Sequence, residues 1–402
     1  MNTATQQIPA GYKQTDVGVI PDDWELKQLK QLNLDISDGN YSSKYPKSDD
    51  FKQAGVPFVR ANNIKRMTVV DDDMRFISEA QHSELLKGHL KKDDILITSR
   101  GEIGQVAFVP KRHIDSNINA QLVRINTNAS KLNDRYFGYF LSQNIIQEIL
   151  RSFQTGSALK QLPVGRLVQL PVVLPLPTEQ TAIANVLSDT DELIEKLEKL
   201  LAKKKAIKQG AMQELLTGKR RLPGFSGEWE EKGLGVVCTI STGKKDVNEG
   251  NSSGQYPFFT CSKKLSYSNN YSFDGEAIMI AGNGEVGHLH YYNGKFEAYQ
   301  RTYVLQNFQV NIDYLWLQLN ANFKKSLGIG TIGSTIPYIK KENIEDFKYY
   351  CPKDPKEQTT ITNVLSDIGW EIDNLESELA KYRQIKTGMM QQLLTGKIRL
   401  IN

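Results

Sequence analysis

The chain has few cysteines and no long hydrophobic run. Its 402 residues include only three cysteines, which are widely spaced and form no CxxC pair. This usage argues against a disulfide framework or a zinc knuckle and indicates a reduced, intracellular protein. The polar start of the chain and the absence of a membrane-length apolar run predict neither a signal peptide nor an anchor, so we expect a cytoplasmic protein.

The sequence also lacks the motifs of the common DNA-modifying enzymes. It contains no Walker A loop and no Asn-Pro-Pro-aromatic or Asp-Pro-Pro-aromatic methyltransferase tetrad, and no nucleophile can be assigned a base from motif spacing. The formal net charge of +4 is compatible with nucleic-acid binding but is too small to indicate it. We therefore predict a chain without catalytic activity, cofactor or bound metal of its own.

One long stretch occurs twice. Residues 179–222 begin EQTAIANVLSD and end LLTGKRRL, and residues 357–400 begin EQTTITNVLSD and end LLTGKIRL. The two stretches align without a gap, and more than half of their positions are identical. An internal repeat of this length is considered before any other feature, and it predicts a chain made of two copies of one plan.

Each copy has the hydrophobic period of a long helix with a coiled-coil seam. At about 1.5 Å per residue each helix spans roughly 57 Å, far more than one small domain needs. We therefore predict two long helices that act as a spacer, with Lys386 interrupting the second seam. The predicted seam residues are Ile183, Leu187, Ile194, Leu197 and Leu201 in the first copy, and Ile361, Leu365, Ile372, Leu375 and Leu379 in the second.

The ends of both helices carry start and stop signals. Pro177 and Pro355 suit the first helical turn, and Asp354 with Glu357 matches the spacing of a capping box. The glycine of each LLTGK sequence suits the left-handed position that ends a helix. Both helices are therefore delimited by their own sequence.

A glycine recurs at the same place inside each helix. Gly210 and Gly388 each cost about 1 kcal/mol relative to alanine in a helix interior. We interpret them as points where another backbone approaches closely, either the sister helix or a partner protein. A mild kink without function is the alternative.

Two globular regions alternate with the helices. Both contain a proline, a glycine and then Trp-Glu near their start, and Trp24 and Trp229 are predicted core anchors. Short strand-like runs, such as residues 95–98 and 277–281, and helical runs, such as residues 134–150, indicate mixed α/β units. The predicted organisation is a first globular domain, a central helix, a second globular domain and a C-terminal helix, at residues 1–176, 177–221, 222–353 and 354–402.

Local correspondences link the two globular regions. Residues 101–104 read Gly-Glu-Ile-Gly and residues 284–287 read Gly-Glu-Val-Gly, and Gly156-Ser157 matches Gly333-Ser334 before each long helix. Gly282 extends the second motif to GxGxxG, but an aromatic strand-like run follows it instead of a helix that could hold a pyrophosphate. We predict a tight turn between strands there.

The order of the segments makes the repeat circular. The sequence that follows the first helix resembles the tail of the second helix continued into the N-terminus. If each helix runs from its own domain to the entrance of the other, the helices are antiparallel about a pseudo-two-fold axis. Similar helices joined to dissimilar domains suggest a constant frame that presents two different reading heads.

Polar loop residues after predicted strands suit DNA recognition. Arginine can bond guanine and asparagine or glutamine can bond adenine, while lysine holds phosphate. A solvated loop position remains the alternative for each of them. The candidates are Arg60, Asn62, Asn63, Lys65 and Arg100 in the first domain, and Lys263, Lys264, Asn283, Gln300 and Arg301 in the second.

Two other polar features have simpler interpretations. The basic run from Lys203 to Arg221 follows acids earlier on the same helix, a distribution that complements the helix dipole, with contact to DNA or an acidic partner as the alternative. His288 and His290 alternate along a strand without a third ligand, and the remaining histidines are scattered. We therefore expect no metal site.

The duplicated EQT…NVLSD and LLTGK segments, the Trp-Glu lead-ins and the Gly-Ser turns closely resemble the specificity subunit of Type I restriction-modification enzymes, over essentially the whole chain. The resemblance implies a mixed α/β fold, with two target-recognition domains joined by two long antiparallel helices. It implies a non-catalytic subunit that reads a bipartite, gapped double-stranded DNA sequence and recruits two adenine-methylating modification subunits.

Further partners follow from the same resemblance. A restriction subunit with motor and nuclease parts would join the complex, and S-adenosylmethionine, ATP and Mg²⁺ would belong to the partner subunits. A DNA-independent coiled-coil adaptor would explain the helices but not the unlike domains. A self-contained DNA enzyme would need catalytic motifs that the sequence lacks.

Overall fold

The computed structural model describes residues 8–39, 43–157, 159–328 and 338–400. The chain divides into two compact units. Unit 1 comprises Met1–Leu197 with Glu378–Asn402, and unit 2 comprises Glu198–Ser377. Both unit boundaries fall inside the long helices, so each unit contains one globular domain and parts of both helices. The four functional segments predicted from the sequence stay a prediction.

The first half of the chain contains thirteen strands and five α-helices among the described residues. The strands are β1 (Tyr12–Thr15), β2 (Gly18–Pro21), β3 (Glu25–Gln28), β4 (Asp35–Asp38), β5 (Val56–Val59), β6 (Ile64–Lys65), β7 (Thr68–Val69), β8 (Arg75–Ile77), β9 (Asp94–Thr98), β10 (Val106–Phe108), β11 (Asn117–Ile118), β12 (Leu122–Asn126) and β13 (Pro171–Leu174). The helices are α1 (Glu79–Glu84), α2 (Asp134–Leu141), α3 (Asn144–Ser152), α4 (Val164–Leu167) and α5 (Pro177–Leu215).

The second half contains nine strands and five α-helices among the described residues. The strands are β14 (Trp229–Gly233), β15 (Thr239–Thr242), β16 (Tyr256–Phe259), β17 (Ser266–Ser268), β18 (Glu276–Ala281), β19 (Leu289–Asn293), β20 (Glu297–Ala298), β21 (Thr302–Gln306) and β22 (Lys348–Pro352). The helices are α6 (Leu234–Val237), α7 (Ile312–Gln318), α8 (Lys324–Ser326), α9 (Lys341–Glu345) and α10 (Pro355–Leu393).

The two globular domains share one topology, although their sequences differ. In the first domain the order β4-β12-β9-β10 continues to β7-β6, and a second sheet has the order β11-β5-β8. In the second domain the corresponding orders are β15-β21-β18-β19 and β20-β16-β17. The pairs β11·β5 and β20·β16 are both parallel. The predicted mixed α/β class is confirmed for both domains.

Buried apolar strands lie at the centre of each larger sheet. Every residue of β9 and β12 is buried, as are the last five residues of β18. Continuous burial requires cover on both faces, and helices and the smaller sheet provide it. The strands that enter each domain, β3 and β14, pair antiparallel with the strands β13 and β22 that leave it.

One predicted helix is two helices in the structure. The apolar run from Asp134 to Leu150 breaks between α2 and α3. Ser142 Oγ donates a hydrogen bond to Tyr139 O at 2.7 Å, and Gln143 adopts an extended conformation before α3. Side chains that satisfy the last carbonyls end a helix locally, which the apolar period alone does not reveal.

Two long helices of 39 residues begin at the predicted prolines. In unit 1 the start of α5 contacts the end of α10: Lys386 Nζ lies 2.5 Å from Asp191 Oδ1, and Thr190 Oγ1 contacts Met389 Sδ at 4.0 Å. Residue numbers rise along one helix as they fall along the other. The helices are therefore antiparallel in unit 1.

The same orientation holds inside unit 2. Lys204 Nζ lies 2.5 Å from Glu371 Oε2, and Lys205 Nζ lies 2.6 Å from Glu376 Oε1. Beyond the end of α5, Arg221 pairs with Glu357 in the first turn of α10. The partner's residue number falls from 371 to 357 between Lys204 and Arg221, so the helices are antiparallel in unit 2 as well. The two lysine pairs also show that part of the basic run on α5 pairs with acids of α10.

The seam residues differ in what they contact. Ile183 and Leu187 are buried in the core of the first domain, and Ile361 and Leu365 in the core of the second. Along the middle of the helices Leu197, Ile372 and Leu379 are buried, while Ile194, Leu201 and Leu375 are half-buried. The seam residues near the helix ends therefore pack each domain against its helices. Those in the middle are left to join the helices to each other.

Lys386 interrupts the apolar seam because its side chain has a polar partner at this position. Its ammonium group pairs with Asp191 and lies 5.4 Å from the ring centre of Tyr139. Tyr139 Oη also donates to Asp191 Oδ2 at 2.7 Å. Burial and the neighbouring Asp191 carboxylate raise the pKa of Tyr139. The phenol therefore stays a proton donor at neutral pH.

A buried carboxylate joins three chain segments in unit 1. Glu179, in the first turn of α5, is fully buried and accepts hydrogen bonds from Arg399 Nε at 2.6 Å and from Trp24 Nε1 at 3.0 Å. Arg399 also donates to Asp23 at 2.8 Å and lies over the Trp24 ring. This arrangement holds the domain entrance, the start of α5 and the tail after α10 together.

Unit 2 repeats the arrangement with its own residues. Glu357 is fully buried and accepts from Arg221 Nε at 2.5 Å and from Arg221 Nη2 at 2.6 Å, and the guanidinium lies 5.5 Å from the Trp229 ring. Asp354 caps α10 through Lys356 N. The capping box predicted for Asp354 and Glu357 is therefore wrong in its second half, because the Glu357 carboxylate is taken by Arg221.

The sister helix does not approach the glycine inside either long helix closely. No atom of another described segment lies within 4 Å of the position that a Cβ would take at Gly210 or Gly388. The expectation of a neighbouring sister backbone at these points is wrong, and the expectation of a partner protein stays a prediction. Among the described residues no helix is both long and apolar enough to cross a membrane.

Removing the Glu179 carboxylate tests the joint in unit 1. Glu179→Ala leaves the Trp24 indole and the Arg399 guanidinium without their shared buried acceptor, so we expect a loss of about 3 kcal/mol. Hydrogen exchange of the core amides of unit 1 in the full chain measures it. The control Lys196→Ala removes an exposed pair with Glu192 and should change the stability of unit 1 very little. Equal effects of the two variants would contradict the proposed role of the buried pair.

Two glycine substitutions in unit 2 should act in opposite directions. A Cβ on Gly243 would lie 1.9 Å from Ala298 O, so Gly243→Ala should destabilise the second domain by about 1–3 kcal/mol. Gly210→Ala meets nothing and should stabilise unit 2 by up to about 1 kcal/mol. Denaturant unfolding of both variants measures the difference, and a destabilising Gly210→Ala would show that the open space does not exist in solution.

Candidate nucleic-acid interface

Four chain segments of the first domain meet at one edge through backbone hydrogen bonds. Asn119 N donates to Val59 O at 2.8 Å, which ties the residues after β11 to those after β5. Ser99 N donates to Gln121 O at 2.7 Å, and Leu162 N donates to Ser99 O at 2.9 Å. We call this edge rim 1 and define it as residues 60–63, 99–102, 119–121 and 159–162.

The second domain builds the same edge with the same three bonds. Tyr299 N donates to Phe259 O at 3.0 Å, Gly282 N donates to Arg301 O at 2.9 Å, and Ile339 N donates to Gly282 O at 2.9 Å. Each bond joins segments equivalent to those of rim 1. We call this edge rim 2 and define it as residues 260–264, 282–285, 299–301 and 338–342.

The two rims carry different side chains on this shared backbone. Both carry the cationic and amide groups that contact nucleic acids, and rim 2 adds aromatic ones, yet few equivalent positions carry the same residue. An invariant backbone with different side chains is what two readers of different sequences require. The cationic, amide and aromatic side chains are Arg60, Asn62, Asn63, Arg100, Asn119, Gln121, Lys160 and Gln161 on rim 1, and Lys263, Lys264, Asn283, Tyr299, Gln300, Arg301, Tyr338, Lys340 and Lys341 on rim 2.

Arg60 is held in place by an ion pair. Its Nη2 lies 2.9 Å from Asp73 Oδ2, and the side chain is only 22% exposed. The guanidinium of Arg60 lowers the pKa of the Asp73 carboxyl below its usual value. Arg60 therefore has to exchange Asp73 for a nucleic-acid partner before it could contact a base, whereas Asn62 is exposed next to it.

Asn63 has a structural role in the loop. It is fully buried, its Oδ1 accepts from Arg60 N at 3.0 Å, and its Nδ2 donates to Asp72 O at 2.8 Å. Its amide is committed to the backbone and cannot bond a base edge without unfolding the loop. Lys65 lies outside rim 1, exposed and paired with Asp72 at 2.9 Å.

Arg100 lies at the centre of rim 1. Its Nη2 donates to Gln161 Oε1 at 3.0 Å, which joins the turn after β9 to the segment before α4. Tyr45 lies near Arg100 and Arg60, and burial raises the pKa of its phenol. Tyr45, Gln121 and Gln161 were not predicted from the sequence, because they come from segments that only the fold brings together.

A cleft opens on rim 2. It has a volume of about 370 Å³, and its walls include Gln300 and Arg301 from the sequence prediction, together with Tyr338, Lys340 and Lys341. Tyr338 is 59% exposed, which leaves its ring free to stack. The cleft thus combines one amide group and one guanidinium group with two lysines and two tyrosine rings, Tyr303 and Tyr338. Glu342 is its acidic member.

The remaining predicted residues of rim 2 lie beside this cleft. Lys263 and Lys264 are exposed on the loop after β16, and Lys263 Nζ lies 3.6 Å from Glu285. Asn283 follows Gly282 and is half-buried. These residues extend the polar edge of rim 2 beyond the cleft.

The sequence contains a signal that could have indicated the three rim 2 residues that were not predicted. Tyr338, Lys340 and Lys341 come shortly after the Gly333-Ser334 pair that matches Gly156-Ser157, and the Gly333-Ser334 pair lies outside the described residues. Its counterpart Gly156 has a φ of +92°, the left-handed region that favours glycine. In the first domain a turn at Gly156 therefore precedes the return of the chain to rim 1 and the start of the long helix. The sequence of this turn is matched by Gly333-Ser334 in the second domain.

The Gly-Glu-Ile-Gly and Gly-Glu-Val-Gly motifs form tight turns between antiparallel strands, as predicted. Gly101 and Gly104 have φ values of +76° and +93°, and Gly284 and Gly287 have +60° and +71°. They connect β9 to β10 and β18 to β19. No helix begins after either turn, so neither offers the helix N-terminus that a dinucleotide site uses.

The histidines of the first domain are less scattered than the sequence indicated. His82 and His89 approach Asp115, and one ligand atom from each residue lies within 4.8 Å of the others. This is the one such cluster found among the described residues. It lies on the segment that leads through β11 to rim 1, not on either rim.

Comparisons with known proteins agree with this architecture. A family model described as the Type I restriction modification DNA specificity domain matches residues 21–209 and 226–383. The specificity subunit of the Type I restriction enzyme EcoDI from Escherichia coli is 39% identical over 168 residues, which is 42% of this chain and 37% of that protein. The putative MjaX specificity subunit from Methanocaldococcus jannaschii is 25% identical over 97% of both chains.

Solved structures show the same fold. The crystal structure of a Type I restriction-modification S subunit from M. genitalium covers 92% of this chain with a TM-score of 0.61 at 16% identity, and this chain covers 96% of it. Because the family model matches both halves, and a relative aligns along nearly the whole length, the assignment does not rest on the helices alone. The chain belongs to the family of Type I restriction-modification DNA specificity subunits.

Proposed function

We propose that this chain selects the DNA site for a Type I restriction-modification complex, with each rim reading one half of a bipartite, gapped target. The observation that carries the proposal is the duplicated backbone of rims 1 and 2 with different side chains on each. One scaffold built twice would bind two stretches of duplex in the same way. Different side chains would then select different bases.

The side chains of rim 2 support a division of labour. Arg301 and Gln300 have the donors and acceptors that distinguish guanine and adenine edges in the major groove. Lys340 and Lys341 are exposed cations suited to phosphate binding, which positions the domain without reading sequence. On rim 1, Arg100 and Gln121 would read bases and Lys160 would hold phosphate.

The long helices would set the gap between half-sites and dock two modification subunits. Support comes from the ion pairs that hold α5 and α10 antiparallel within each unit, and from the open space at Gly210 and Gly388. The chain itself would be non-catalytic. S-adenosylmethionine, ATP and Mg²⁺ would be bound by the modification and restriction subunits.

Substitutions on rim 2 should separate affinity from specificity. In the complex with its modification subunits, the double variant Lys340→Ala, Lys341→Ala should weaken DNA binding for all sequences. The slope of log K against log salt should fall by about 0.9 for each phosphate that is no longer neutralised. The matched control Lys348→Ala, Lys353→Ala removes two exposed lysines of the same domain outside rim 2 and should leave the slope unchanged.

Arg301→Ala should act on one half-site. We expect a loss of about 1–3 kcal/mol on the cognate sequence and relaxed selection at one base pair, because a bidentate guanine contact is worth that much. Mapping adenine methylation in cells that express the variant complex measures both effects. If the unaltered chain shows no sequence-specific binding to duplex DNA in its complex, the DNA-independent adaptor is favoured instead.

Lengthening the helices tests their role as a spacer. Four residues inserted after Leu197 and four after Ser377 add slightly more than one turn, or roughly 6 Å, to each of α5 and α10. The methylated motif should keep both half-sites while its gap grows by one or two base pairs, since base pairs are stacked about 3.4 Å apart. An unchanged gap in an assembled, active complex would exclude the spacer role but not the reading role.

A further inference from the structure

His82, His89 and Asp115 form a cluster that the proposed function does not use. His82 Nε2 lies 3.6 Å and His89 Nδ1 lies 3.7 Å from the same atom, Asp115 Oδ1. The two imidazole rings are 4.3 Å apart between their centres. Three potential ligand atoms thus face one small volume.

The backbone holds two of these residues in register. His89 forms an isolated antiparallel bridge with Asn117, Leu90 N donates to Ser116 O at 2.8 Å, and Asp115 N donates to Leu90 O at 2.7 Å. Asp115 has a φ of +67°, a left-handed conformation that aspartate tolerates better than most residues. The approach of His89 to Asp115 is therefore built into paired chain segments and does not depend on flexible side chains.

The outer nitrogen of each imidazole is already occupied. His89 Nε2 contacts Leu85 O, and His82 Nδ1 contacts the Oδ1 of Asn117. A carbonyl oxygen only accepts, so these nitrogens carry the hydrogens. In a neutral ring the inner nitrogens, His82 Nε2 and His89 Nδ1, then present lone pairs to the carboxylate.

Three acceptor atoms that face one small volume offer a site for a cation. We propose that His82, His89 and Asp115 bind one divalent transition-metal ion of the zinc class. Imidazole and carboxylate are ligands of this class, and hydrogen bonds from the outer ring nitrogens to carbonyl groups are the usual support of metal-binding histidines.

The distances fit such an ion after a small movement. Ligand bonds of about 2.0–2.2 Å in tetrahedral geometry place ligand atoms about 3.3–3.5 Å apart. The two separations to Asp115 Oδ1 are only slightly longer, and the Asp115 side chain is 76% exposed and able to move. The same exposure leaves a fourth position open to water. The His82 side chain is 11% exposed, so the ion would be partly shielded on the protein side.

The position of the cluster gives the ion a local role. Asp115 is followed by β11 (Asn117–Ile118), which leads directly to residues 119–121 of rim 1. The ion would clamp the segment from α1 to His89 onto this strand and stiffen the base of rim 1. In the second domain the position of Asn117 is taken by Glu297, which accepts from Ser272 Oγ at 2.8 Å. The site is therefore a feature of the first domain.

Zinc binding by the chelator-treated, full-length chain tests the proposal. Calorimetric titration with Zn²⁺ alone at neutral pH should show one equivalent bound. His89→Gln and Asp115→Asn should each weaken binding by more than about 100-fold, since even residues that only support a ligand contribute about 10- to 100-fold. The control His288→Gln alters a second-domain histidine outside any three-residue cluster of the described chain and should keep full affinity.

A second readout separates binding from folding. Zn²⁺ should slow amide hydrogen exchange in residues 82–90 and 113–118 of the unaltered chain and leave exchange unchanged in His89→Gln, whose fold is checked by circular dichroism. Undiminished zinc affinity in both cluster variants would overturn the proposal. The proposal would also be overturned if the chain binds no zinc and its ¹⁵N NMR spectrum shows a doubly protonated imidazole in the cluster. A proton, and not a metal ion, would then neutralise the carboxylate.

Discussion

A buried carboxylate at the first turn of each long helix is the constraint on which the rest of the structure depends. Glu179 and Glu357 are fully buried, and a charge taken out of water is tolerated only when a partner neutralises it. The partners, Arg399 and Arg221, come from the tail that follows the other helix. Each pair therefore forces the start of one helix, the end of its sister and a domain entrance to meet, and the circular order of the sequence follows from this requirement.

The joint also explains why the two domains were free to diverge. Each is attached to its helix ends by Glu, Arg and Trp residues and by apolar positions such as Leu187 and Leu365. The rims lie where β5, β9 and β11, or β16, β18 and β20, end, and their backbone is held by the same three hydrogen bonds in both domains. Side chains on the rims can change while these hydrogen bonds stay in place. A family of DNA specificity subunits needs this separation of frame and reading surface.

The sequence was sufficient wherever a pattern is local or repeated. The 39-residue helices, their proline starts, the antiparallel order and the strands around Ile95 and Ile278 all follow from period, capping and internal comparison. The turn motifs at Gly101 and Gly284 were interpretable because glycine at a positive φ leaves a recognisable spacing. Prediction was weaker where one residue had two possible partners. Asn63 was predicted to read a base, but its side-chain amide holds the loop. Glu357 was predicted to complete a capping box, but its carboxylate binds Arg221.

The sequence by itself thus determined the duplicated plan, the class of fold and the family, because these depend on patterns that persist along the chain. Only the tertiary structure decided which loops share a rim, placing Gln121 and Gln161 beside Arg100 and Tyr338 beside Arg301. It also brought His82 and His89 to Asp115, residues that looked scattered in the sequence. Such groupings depend on strand order and backbone hydrogen bonds between distant segments, and the spacing of residues along one chain carries no record of them.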